Sequence, residues 1–560
     1  MNNNSAAQKT GIKNVWIFLA FWLLTFVIYF PAAKAGWVID GVGFLYDLRH
    51  QGFWDFINRS NSSDQSFYQL FTLHYYLFYK LWGFNVWLWS LLYITVQAIN
   101  SFLVFIVCRD IFSDSGIKKS MLIPLCGVLI FCVSPNISEI LICRAYFHYL
   151  LSFLFILLIM HWTQKYQHNQ QNRYLWGMAV VFILSSMTLE IFYLTPFFVL
   201  STALYYRYAL GYNRKIFHKT LLYGFIPQVI TLCIYFIALL ATFKHFKPHK
   251  IELNQTAVDY LSKLPKYFFH IIFLGRYFSF EVKQKVYAFC ESWATIVVVY
   301  GFVVSAFVYA VVRLRKISNE SKAGFLLFAW VMLTLLFLLP LSFPGPELLV
   351  FYDRYTYFSD GFVYILLAFI VSRFVTNKYI AILIFCIYVD FNLYFTIEVN
   401  TYWIESNVIN TKLLYDLPDP GDKTVLLLNI PENMNGAPMI GSSAEGAFKM
   451  MREVYTDTLV RNEIYDVASY NMNADYSGAH VTVVNDSVMK VVLNHGGTWW
   501  WYEGHGAKSY ETPDYKMIMK TVGMEYDLVL KHPADKYLIL YSVGDKWKTV
   551  DMNLKNKQQD

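Results

Sequence analysis

From Val15 to Ala33 the chain runs about 20 residues without a charge, and stretches of the same kind recur through roughly its first 400 residues. A helix needs about 20 apolar residues to cross the hydrocarbon core of a bilayer, and only helices or closed barrels satisfy their backbone there. Further apolar runs lie at 85–108, 121–134, 145–163, 174–188, 190–206, 219–243, 289–312, 323–343, 357–373 and 379–397. With the first they make eleven expected spans, of which 121–134 and 174–188 are short. The charged fraction, 15%, sits well below that of a soluble domain, and 56% of residues are apolar. The net charge of +7 is too small a bias to point to nucleic acid. No convincing small-residue cleavage site follows the first run, so it reads as a retained helix. The seven cysteines lie in or beside apolar runs with no C-x-x-C spacing, which excludes a zinc site or disulfide framework.

Near Trp403 the composition changes, and residues 404–560 hold no spanning run. The expected architecture is an α-helical polytopic membrane domain, 1–403, followed by a soluble mixed α/β domain. Strands are expected at 424–430, 480–484, 488–493, 526–531 and 536–542. A helix is expected at 442–455, capped by Ser442 or Ser443. Trp499, Trp500 and Trp501 stand together between glycines. Adjacent residues of a strand face opposite ways, so the three cannot all be buried on one side. They suit stacking on sugar faces or contact with the membrane domain.

Lys and Arg in short loops set orientation. With a cytoplasmic N-terminus, the loops 109–120, 164–174, 207–218, 313–322 and 373–378 are cytoplasmic and strongly basic, with Asp110, Asp114 and Glu320 as their only acids. The opposite, extracytoplasmic face then receives loops 34–84, 244–288 and 344–356, and an odd number of spans places the soluble domain there too. Ionisable groups at membrane depth are costly, so they are paired or functional. On the outer side these are Asp40 and Asp47 after the first span, Glu139 and Arg144 in SPNISEILICRAYF, Glu190 in SSMTLEIFYL, and Asp353 with Arg354 in VFYDRYTYF. The segment SFYQLFTLHYYLFYKLWGFN reads as a helix lying in or dipping from the interface.

The order of these pieces resembles the polytopic glycosyltransferases of the GT-C type, which include protein O-mannosyltransferases and the aminoarabinose transferase of lipid A. The matching elements are Asp40, the LFYKLWGFN segment with Gly83 and Asn85, Glu139 with Arg144, Glu190, and Arg354 with Tyr355. VLLLNIPENMNG at 425–436 is similar to the first strand of the family's periplasmic domain. Where the family has Arg-Pro before the re-entrant helix this chain has Tyr68-Gln69, and Leu189 stands where a Lys often precedes the helical Glu.

The resemblance implies transfer of a sugar from a polyprenyl-phosphate carrier on the outer face of the cytoplasmic membrane. The acceptor is an envelope glycan, lipid or protein, with O-antigen or another lipid-linked glycan placed ahead of protein. A carboxylate near the acceptor hydroxyl serves as base, and the departing lipid phosphate requires cations. Asp40 is the expected base, with Asp47, Glu190 and Glu139 orienting or supporting. Arg354 is the first candidate for the donor phosphate because its fork suits phosphate, followed by Arg144, Arg276 and Lys266. No cofactor or metal is implied. Two other readings stand beside it: a transporter or flippase for a lipid-linked glycan, and a non-catalytic envelope scaffold that binds glycan through 496–506. If Arg354 has a structural role instead, the expected partner is its neighbour Asp353.

Overall fold

A computed structural model describes the chain except for residues 1–2, 59–66, 244–255, 314–315, 342, 344–352, 441–445, 473–477, 494–507, 522–524, 553–557 and 560. The side chains of 3–13, 39, 40, 243, 558 and 559 also lie outside the description. Among the described residues eight helices are long and apolar enough to cross a membrane: Asn14–Ala35, Val86–Asp114, Arg144–Asn169, Arg214–Thr242, Trp293–Arg313, Asn319–Leu338, Asp353–Phe374 and Lys378–Tyr415. A ninth candidate is the pair Leu122–Cys132 and Pro135–Ile142, bent by 57°. Pro135 has no N–H to continue the first helix, which gives the bend its cause.

The count is therefore eight or nine, against the eleven expected from the apolar runs. The difference lies at 174–188 and 190–206, which fold as helix Asn172–Ser185, of 14 residues, and helix Thr195–Leu204 with its π-helical continuation Tyr205–Ala209, joined through a 3-10 turn at Glu190–Leu194. Fourteen residues reach about 21 Å, short of the core thickness. The first helix stops where hydroxyls capture its last carbonyls: Ser185 Oγ donates to Phe182 O at 2.7 Å and Thr188 Oγ1 to Ser185 O at 2.6 Å.

Close packing in the bundle rests on small residues. A Cβ on Gly127 would lie 2.5 Å from the Ile365 Cα, so Leu122–Cys132 and Tyr357–Phe374 touch backbone to backbone there. The last helix, Lys378–Tyr415, has 38 residues and is about 57 Å long, nearly twice what the core requires. Its first half exposes Ile380, Leu383 and Ile387 to the surroundings, whereas Trp403, Ile409, Leu413 and Leu414 are buried. The second half is a stalk beneath the C-terminal domain, so the boundary expected at 403 falls inside a continuous helix.

The C-terminal domain is mixed α/β. Strand Thr424–Leu427 pairs in parallel with both Tyr537–Val543 and Ile464–Asp466. Helix Ala447–Thr456 is the crossover between Thr424–Leu427 and Ile464–Asp466. A six-stranded antiparallel sheet contains Ala479–Asn485, Val488–Leu493 and Glu525–Leu530. Four of the five expected strands are present, whereas 424–430 divides into Thr424–Leu427 and Ile430–Met434, which belong to different sheets. The helix begins at Ala447 after Gly446, later than expected at 442, and the caps Ser442 and Ser443 lie outside the described residues. Trp499, Trp500 and Trp501 lie outside them as well.

Candidate functional site

After the first span, Pro31 opens a 3-10 turn, Phe30–Ala35, and Gly36 takes φ +64°, a conformation that favours glycine. A Cβ there would come within 2.5 Å of Asn407 Oδ1, so a larger residue would also have to push the Asn407 side chain off the turn. The chain then enters helix Ile39–His50. Asp40 lies in its first turn, with its side chain outside the described residues, and Asp47 follows seven positions later, a spacing that shares a helix face.

The C-terminal domain grips this turn directly. The Trp37 N–H donates to Tyr455 Oη at 3.1 Å, and the Tyr455 hydroxyl in turn donates to the Trp37 carbonyl. Arg49 pairs with Asp457 at 3.1 Å and donates to Glu453 O at 3.3 Å. Asn407 of the stalk donates to Lys34 O at 2.9 Å. Tyr455→Phe leaves both Trp37 backbone groups without that partner, at a net cost of about 1 kcal/mol. Amide hydrogen exchange over residues 36–50 is expected to quicken about fivefold; unchanged exchange there means the hydroxyl does not hold the turn.

Arg144 anchors the same turn from the membrane side. It is buried and donates to Ser90 Oγ and Ile142 O, both at 2.8 Å, to Ala33 O at 3.1 Å, and to Gly36 O. Its own carbonyl accepts from Tyr75 and Tyr93 hydroxyls. The residue thus ties the ends of three helical segments to the turn that leads to Asp40.

Glu139 and Arg354 form a buried ion pair, reinforced by the Arg354 N–H, which donates to Glu139 Oε2 at 2.9 Å. The guanidinium lies 4.4 Å from the Tyr146 ring centroid and 5.0 Å from that of Tyr355. Arg354 is therefore bound to Glu139 and not to Asp353, correcting the neighbour pairing expected from the sequence. Asp353 instead accepts from Arg276 Nη1 at 2.7 Å and the Tyr277 hydroxyl at 3.1 Å, with His270 Nε2 at 3.3 Å. Burial holds His270 below the usual histidine range, outweighing the opposite pull of Asp353. Lys266 reaches Glu291 Oε1 at 2.7 Å and lies over the Tyr287 ring.

Glu190 opens its 3-10 turn and accepts a hydrogen bond from the Tyr68 hydroxyl. Tyr68 stacks on His148, with ring centroids 6.0 Å apart. Tyr149 lies within electrostatic reach of Glu190, Glu139 and Arg354 together. Burial pushes His74, packed 3.9 Å from Phe147, down to about 3, so its imidazole is neutral and belongs to the aromatic packing.

The structure thus brings Glu139, Arg354 and Glu190 into one aromatic-lined neighbourhood and links it to the turn before Asp40 through Arg144. Arg276 is joined to it through Asp353, the residue next to Arg354, while Lys266 pairs with Glu291. Sequence reasoning did not single out Tyr68, Tyr149, His270, Tyr277 or Tyr455. Tyr68 carries the one available signal, an aromatic hydroxyl at the start of the interfacial helix Gln69–Trp82. Among the described residues no group of three or more His, Cys, Asp or Glu side chains is placed to hold a metal ion. No family model matches the chain, and no curated protein is significantly similar to it. What fold and composition define is a mostly helical chain of membrane-spanning type with a strand-rich C-terminal domain.

Proposed function

We propose that this protein is an integral membrane glycosyltransferase that moves a sugar from a polyprenyl-phosphate carrier to a cell-envelope acceptor, a lipid-linked glycan before a protein. The observation that carries the reading is the convergence at Arg144. Its guanidinium holds the turn before Asp40 while the short helix that precedes it in the chain supplies Glu139 to Arg354. These contacts bring together residues from the first loop, the bent helix pair and the start of a late span, which supports a single site drawing on all three.

In this reading Asp40 takes the acceptor's proton as its oxygen attacks the sugar C1, and the bond from C1 to the carrier phosphate breaks with its electron pair leaving on the phosphate oxygen. The oxocarbenium-like transition state gains from nearby carboxylate charge. Glu139 orients Arg354, whose guanidinium meets the departing phosphate. Asp47 and Glu190 position the acceptor.

Comparing lipid-linked sugars and envelope glycans in cells with and without the protein tests the function. Loss of one sugar from the glycan, with its lipid-phosphate donor accumulating, supports transfer. Accumulation of a complete lipid-linked oligomer instead assigns a flippase, and unchanged glycans and donors assign a scaffold.

The same reading fixes sidedness. Helix Ile39–His50 packs against Ala447–Thr456, which supports one shared side for the first loop and the C-terminal domain; in this reading the bent pair is a ninth crossing and that side is opposite the N-terminus. A cysteine replacing Asn58 and a tag after Asp560 are both expected to react with impermeant reagents from outside the cytoplasmic membrane. Opposite sidedness for the two probes breaks the shared site.

A further inference from the structure

The bundle buries three carboxylates at neighbouring positions, Glu139, Asp353 and Asp360. Two have arginine partners, Glu139 with Arg354 and Asp353 with Arg276. Asp360, one turn into helix Tyr357–Phe374 and 0% exposed, has no ion pair among the described residues. A lone buried carboxylate is costly unless its charge is balanced.

Its surroundings are rich in oxygen, and several of those oxygens make no hydrogen bond. Asn136, at the bend between Leu122–Cys132 and Pro135–Ile142, lies against the Asp360 carboxylate. It is wholly buried, its amide faces the carboxylate, and its Oδ1 makes no hydrogen bond. Asp360 Oδ1 and Ser138 Oγ also lack partners. Thr356 Oγ1 donates to the Asp353 carbonyl at 3.0 Å and, at the longer distance of 3.3 Å, to Asp360 Oδ2, sharing its single proton between them. Tyr29, beside Ser138 and within electrostatic reach of Asp360, commits its proton to Ser134 O at 2.7 Å. One proton on the carboxyl would satisfy a single acceptor. A cation satisfies several oxygens at once, as in transporters where broken helices supply ligands for sodium.

We infer that Asp360, Asn136, Ser138 and Thr356 form a binding site for a small monovalent cation, sodium in type, at the bend of the helix pair. One carboxylate charge matches one positive charge, whereas a divalent ion would leave a net charge buried. The site is separate from the proposed sugar-transfer chemistry and braces the segment that carries Glu139.

The test is the melting temperature of the purified full chain in lipid nanodiscs, read by tryptophan fluorescence, in NaCl against choline chloride at equal ionic strength. A saturable rise of about 2 °C or more with sodium is expected, since a ligand that binds only the folded state stabilises it. Asp360→Asn keeps an oxygen but removes the charge and is expected to abolish the shift. Asn136→Ala and Thr356→Val, which keep Asp360, are expected to raise the half-saturating sodium concentration at least about threefold, so the proposal stays testable if Asp360→Asn fails to fold. Equal melting in both salts overturns the site. So does a sodium shift that survives Asp360→Asn, an unchanged half-saturation in both milder variants, or melting that follows pH but not sodium.

Discussion

Glu139→Ala is expected to destabilise the protein by about 3–5 kcal/mol, the cost of leaving one member of a buried ion pair without the other. Arg354 is 5% exposed, and both its guanidinium and its backbone N–H are directed at the Glu139 carboxylate. The Tyr146 and Tyr355 faces attract the cation but cannot neutralise it. Melting of the detergent-solubilised protein should fall by several degrees, with a lower yield of monodisperse material. Glu139→Gln, which keeps an acceptor but no charge, should fall in between. Removing both partners through Glu139→Ala with Arg354→Ala should cost less than the sum of the single changes, because the stranded charge is gone. Additive losses in that double-mutant cycle would show that the pair does not couple. Strict additivity is, however, expected between Glu139→Ala and a change at the distant ion pair Lys490–Glu525 on the outer sheet.

The membrane character of this chain was legible because the requirement is local: about 20 uncharged residues announce a span whatever they pack against. The failures are local too. At 174–206 the apolar residues are present, but the first helix ends at Ser185 and a 3-10 turn at Glu190–Leu194 separates it from the second. The C-terminal strands were legible from β-branched content, whereas the start of helix Ala447–Thr456 was displaced from the serines that looked like caps.

The charged residues show a different limit. Membrane depth marks Glu139, Arg144, Asp353 and Arg354 as paired or functional, yet nothing local says which partner each takes. Arg354 finds Glu139 across 215 positions and Asp353 finds Arg276 across 77, although Asp353 and Arg354 are adjacent in the chain. Arg144 is further from intuition, because its acceptors are carbonyls and a hydroxyl. Tyr455 holds Trp37 across 418 positions, a contact that only the folded stalk and domain create.

If the transfer reading holds, Asp40→Asn is expected to lower the rate of sugar transfer by about 10²- to 10⁴-fold, the usual cost of losing a general base. The substitution keeps shape and hydrogen-bonding capacity and removes only the ability to take a proton. The turn ahead of it is held independently by Arg144 at Gly36 and Ala33 and by Tyr455 at Trp37, so the fold should not change. Melting should stay within about 1 °C of the unaltered protein, and affinity for the polyprenyl-phosphate sugar should be nearly unchanged, placing the loss in turnover. Asp47→Asn, two turns along the same helix, is the natural comparison, and its smaller effect should appear mainly in acceptor affinity. The measurement is single-turnover transfer from a synthetic polyprenyl-phosphate sugar by purified protein. Near-normal transfer by Asp40→Asn moves the base elsewhere. If Asp47→Asn then shows the large loss, the base sits two turns further along the same docked helix, and the contact with the C-terminal domain through Arg49 and Asp457 becomes the structural feature that positions it.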